Sequence, residues 1–84
     1  MEGAPATVTD RWVEAKLDHF EDGTINVSIW LVRPGGPQLL YFRNVENETA
    51  ATARVHADAE AHGIDPKNVT IRHLNRDNTA RRNA

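Results

Sequence analysis

Residues 12–44 read WVEAKLDHFEDGTINVSIWLVRPGGPQLLYFRN, and the pairing chosen within them decides the fold. Two β-leaning runs flank Phe20-Glu21-Asp22-Gly23-Thr24, where an acidic pair followed by glycine marks a hairpin turn. A two-residue Asp22-Gly23 turn would set Leu17 against Ser28 and Ala15 against Trp30, mixing apolar with polar on both faces. A three-residue loop, Glu21-Asp22-Gly23 with Gly23 in a left-handed bulge, sets Leu17 against Val27, Ala15 against Ile29 and Val13 against Leu31. The second register is expected because it makes the apolar rows coincide.

Trp12, Val13, Lys16, Leu17 and Phe20 also recur at roughly helical spacing, with Thr9 available as an N-cap. The strand reading is preferred, since a helix would have no reason to match the alternation of the run that follows.

Pro34-Gly35-Gly36-Pro37 suits a second hairpin, because glycine supplies positive φ and each proline spares a ladder donor. Its symmetric register sets Leu31 against Leu40 and Ile29 against Phe42. The other face then carries Trp12, Val32 and Leu39 in one row, Glu14, Trp30 and Tyr41 in the next, and Lys16, Ser28 and Arg43 beyond. Two tryptophans and a tyrosine are thus expected on the face away from the main apolar row.

After Asn44 the pattern turns Ala-rich and charged. Asn44 or Asn47 can cap a helix, and Glu46 and Glu48 lie where the helix dipole favours negative charge. Gly63 is the natural left-handed residue after a helix ending at His62, with Ile64 beyond it and Pro66 preventing resumption. A Schellman ending brings Ile64 against Ala59, which favours the Ala51, Val55 and Ala59 stripe as the packing face. Asn68 to Leu74 alternates again, with Val69, Ile71 and His73 inward, and reads as a fourth strand lying parallel beside the first.

The expected fold is therefore α+β: a three-stranded antiparallel meander, one helix on one face and a fourth strand joining the sheet, in the order βββαβ. Residues 1–6 read as a mobile lead-in, 7–74 as one domain, and 75–84 as a disordered basic tail holding Arg76, Arg81 and Arg82.

Eighty-four residues bury only about 60% of their unfolded surface, which argues against a large enclosed active site. There is no cysteine, hence no disulfide scaffold and no thiolate chemistry. No apolar run approaches the roughly 18 residues of a membrane span, and the N-terminus lacks a basic segment followed by an apolar one, so a cytoplasmic location is expected. A net charge of -2 argues against a dominating attraction to nucleic acid.

Catalytic signals are weak. Glu14 and Asp18 share an open strand face, where neither is desolvated enough to shift its pKa usefully. The proline-glycine turn leads into a strand and lacks the spacing of a phosphate loop. Of the histidines, only His62 has a helical partner at metal-compatible spacing, Asp58, and two ligands do not make a structural zinc site. No enzyme activity, metal or cofactor is expected.

What remains is the aromatic sheet face. Trp12, Trp30, Val32, Leu39 and Tyr41, with Arg43 at the rim, are expected to bind a partner, either a second copy or a larger protein, with Trp30 as the central anchor. The competing reading is a single-stranded nucleic acid stacked on the same rings, with Arg76, Arg81 and Arg82 as an electrostatic arm. The bland alternatives are that these rings belong to the core and that the tail only solubilises.

Overall fold

The computed structural model describes residues 10–76. β1 (Trp12–His19), β2 (Ile25–Val32), β3 (Gln38–Val45), α1 (Glu48–Ala61) and β4 (Val69–Leu74) follow one another, with a 3-10 turn at Pro66–Asn68 before the last strand. The strand order is β3-β2-β1-β4. β1 and β2 are antiparallel, β2 and β3 are antiparallel, and β4 runs parallel to β1. This is the α+β, βββαβ arrangement the residue pattern leads one to expect. The expected lead-in at 1–6 and the tail residues Arg81 and Arg82 lie outside the described residues.

The first hairpin follows the alternation of its strands. Leu17 pairs with Val27, Ala15 with Ile29 and Val13 with Leu31. Gly23, at φ 91, takes the left-handed conformation that closes the loop, and the Phe20 N–H donates to the Thr24 carbonyl at 2.9 Å. Asp22 stiffens the turn, since its Oδ1 accepts from both the backbone N–H and the hydroxyl of Thr24, at 2.9 and 2.7 Å.

The second hairpin departs from the symmetric register. Leu31 pairs with Gln38 and Trp30 with Leu39, a shift follows, and then Ile29 pairs with Tyr41 and Ser28 with Phe42. Leu40 is the extra residue of a β-bulge. Pro37 has no N–H to donate, so pairing starts at Gln38, and the bulge lets Leu40 and Tyr41 both pack against the core. Tyr41 and Arg43 therefore lie on the helix side of the sheet, not on the open face; Leu39 takes the place opposite Trp30 expected of Tyr41, and Phe42 the place opposite Ser28 expected of Arg43.

α1 starts where Asn47 accepts the Ala50 N–H on its side-chain oxygen at 2.8 Å. It ends in a Schellman motif: the Ile64 N–H donates to the Ala59 carbonyl at 2.9 Å and the Gly63 N–H to the Glu60 carbonyl at 3.0 Å, with Gly63 at φ 71. Ala51, Val55 and Ala59 are its buried residues. Two of the three are alanines, which let the helix backbone approach the sheet closely.

The core consists of Val13, Ala15, Leu17, Ile25, Val27, Ile29 and Leu31 from the two central strands, closed by the helix stripe and Ile64. Leu40, Tyr41, Val45, Val69 and Ile71 pack at its edges. Burying apolar surface at about 25 cal/mol per Å2 is what holds the two layers together.

Candidate functional site

The side of the sheet away from α1 carries the residues that alternate with the core. On it stand Trp12, Glu14, Lys16 and Asp18 of β1, Asn26, Ser28, Trp30 and Val32 of β2, Leu39, Phe42 and Asn44 of β3, and Thr70, Arg72 and Leu74 of β4. The face is divided along the strands. Near the Glu21-Gly23 turn it is polar, with the Asn44 side-chain amide donating to Asn26 Oδ1 at 3.0 Å and to Thr24 Oγ1 at 3.2 Å.

Its other end is apolar. Trp30 lies between Glu14 and Leu39 across the strands, and Trp12 pairs with Val32. Trp12 is 36% exposed, Leu39 48% and Phe42 64%, while Trp30 and Val32 are half-buried. The Trp12 indole N–H donates to Glu14 Oε2 at 2.9 Å, which satisfies its polar edge and fixes the ring. Trp12, Trp30, Val32 and Leu39 thus come together as a patch, with Phe42 added.

Tyr41 and Arg43 belong to the opposite side. The Arg54 guanidinium of α1 stacks over the Tyr41 ring at 4.3 Å while its Nε pairs with Asp58 at 3.3 Å, and Arg43 sits 6.0 Å from the same ring. These contacts seal the edge of the core. Arg76, expected in a free basic arm, is anchored: its Nη2 donates to both carboxylate oxygens of Glu48, each at 3.0 Å.

A second cluster forms where β1 and β4 end near the start of α1. Parallel pairing sets His73 beside Leu17, which makes His19 its diagonal neighbour on the helix side. His19 Nε2 and His73 Nδ1 are 2.9 Å apart, and the Glu48 carboxylate joins them, the three ligand-type atoms lying within 4.8 Å of one another. Burial lowers the His19 pKa and the His73 ring pushes the same way, against an opposing pull from Glu48.

This group was invisible to helical and strand spacing, since 54 residues separate the two histidines. The pair that spacing did single out is differently employed, because His62 Nδ1 meets the Asp58 backbone carbonyl at 3.0 Å.

Among the described residues no helix is long and apolar enough to cross a membrane. No family model, curated protein or solved structure matches the chain, so a functional reading rests on its own residues.

Proposed function

We propose that this chain is a non-enzymatic interaction module that docks through the open face of its sheet onto a second copy of itself. The supporting observation is the contiguous group of Trp12, Trp30, Val32, Leu39 and Phe42 on the side that α1 leaves uncovered. Aromatic anchors of this kind concentrate binding energy because they bury large area with few rotors to freeze.

Charge favours self-association. Glu14 and Asp18 share the face with Lys16 and its cross-strand neighbour Arg72. A two-fold axis lays such a face on its own reversed image, and a face carrying both signs of charge allows cations of one copy to meet carboxylates of the other. A polyanion would meet those same carboxylates as repulsion. Nucleic-acid stacking also loses Tyr41 and Arg43, which stand on the helix side.

Three strands of eight residues and one of six, at about 3.3 Å per residue and about 4.8 Å between strands, span roughly 500 Å2 of projected face. Two such faces reach the lower end of specific interfaces, so affinity in the micromolar range is expected. Amide spectra recorded on dilution test the reading. Shifts confined to Trp12, Trp30, Leu39, Phe42 and their neighbours support it, and shifts confined to the outer face of α1 refute it.

A further inference from the structure

Among the described residues outside the open face, His19, His73 and Glu48 bring three ligand-type atoms together. Two imidazoles with ring nitrogens 2.9 Å apart hold one proton between them, one ring donating and the other accepting. Their ring centroids are 5.2 Å apart and the planes are tilted by 35°. Glu48, in the first turn of α1, brings its carboxylate to the same place, so that one ligand-type atom from each of the three residues lies within 4.8 Å of the others.

We propose that His19 Nε2, His73 Nδ1 and the Glu48 carboxylate bind a divalent first-row transition ion of the zinc type. Two imidazoles and one carboxylate are a borderline donor set, which suits zinc, cobalt or nickel and does not suit the oxygen-preferring magnesium or calcium.

The required movements are small. Zinc to nitrogen bonds of about 2.0 Å at tetrahedral angles place two ligating nitrogens about 3.3 Å apart, a few tenths of an ångström beyond the observed separation. The carboxylate closes the remaining gap by rotation about its side-chain bonds. The donor ring moves its proton to its other nitrogen, so both nitrogens offer lone pairs and no proton need be released.

Three protein ligands leave a coordination position for water. Arg76 then serves as an outer partner: each Glu48 oxygen has two lone pairs, so one can accept from the guanidinium while another faces the ion. Its positive charge weakens binding, which makes this an accessory site of moderate affinity.

The test is calorimetric titration of zinc chloride into the untagged full-length chain in a non-chelating buffer near pH 7.5, repeated with cobalt and read by visible absorbance. One equivalent should bind, and His73→Ala or Glu48→Gln should weaken binding at least tenfold, whereas His62→Ala and His56→Ala should leave it unchanged. His73 is exposed, so its substitution should leave the fold intact, and circular dichroism checks this. Imidazole nitrogen spectra of the unmodified chain give a second reading that needs no variant. Zinc should move the His19 and His73 resonances together. Absence of saturable binding, or binding that survives His73→Ala and falls with His62→Ala or His56→Ala, overturns the assignment.

Discussion

Tyr41 stands opposite Ile29 on the helix side of the sheet, while Phe42, its successor, stands opposite Ser28 with 64% of its surface exposed. Two adjacent aromatics therefore carry different burdens. Tyr41→Ala should destabilise the domain by about 2 kcal/mol, through lost packing and the lost seat for Arg54, whereas Phe42→Ala should change stability by no more than about 0.5 kcal/mol. Urea unfolding of both variants checks this. The reverse order of midpoints would restore the symmetric register.

Val55 is fully buried and lies between Ala51 and Ala59 on the packing stripe. Val55→Ala should cost roughly 1–3 kcal/mol through the cavity it leaves. Ala57 is exposed on the same helix, and Ala57→Ser should stay within about 0.5 kcal/mol. Thermal unfolding of the pair tests this packing face, and equal losses would mean the helix packs by a different one.

Gly63 ends α1 at φ 71, and a Cβ added there would meet nothing within 4 Å. The cost of Gly63→Ala is thus one of backbone conformation alone, about 1 kcal/mol, and Gly63→Asn should recover part of it because asparagine tolerates the left-handed region. Denaturation midpoints ordered Gly, Asn, Ala are the expected result.

Asp22 accepts two hydrogen bonds from Thr24, side chain first and backbone second, and these hold its carboxyl below the usual aspartate range. Its folded pKa is depressed, so its stabilising contribution is present above the unfolded value of 3.8 and fades as pH falls through the folded one. The stability gap between the parent chain and Asp22→Ala should be level at neutral pH and narrow below about pH 4. A gap that widens with acid would contradict the hydrogen-bonded turn.

The first hairpin was legible because Leu17, Ala15 and Val13 alternate against Val27, Ile29 and Leu31, and one loop length aligns both rows. The end of α1 was legible from Gly63, Ile64 and Pro66 together. β3 was not, since Leu39-Leu40-Tyr41-Phe42 is apolar without alternation, and a run that suits either face carries no information about which residue bulges. That loss passes directly into the candidate site: alternation puts Trp12, Trp30, Val32 and Leu39 on the open face, where they stand, but puts Tyr41 and Arg43 there as well and leaves Phe42 out.

The histidine cluster shows a different limit. Alternation puts His19 on the same side as Leu17, and His73 was expected inward, so both rings could be assigned to one face once β4 was set beside β1. The offset along that parallel pair was the missing quantity, because a crossover through a helix does not set register as a tight turn does.

Sedimentation equilibrium of the chain over a wide concentration range, beside Trp30→Ala shown to be folded, tests docking through the open face most directly. A monomer–dimer equilibrium in the micromolar range that Trp30→Ala abolishes is the expected outcome. A chain that stays monomeric at every concentration, or a dimer that Trp30→Ala leaves unchanged, would contradict it.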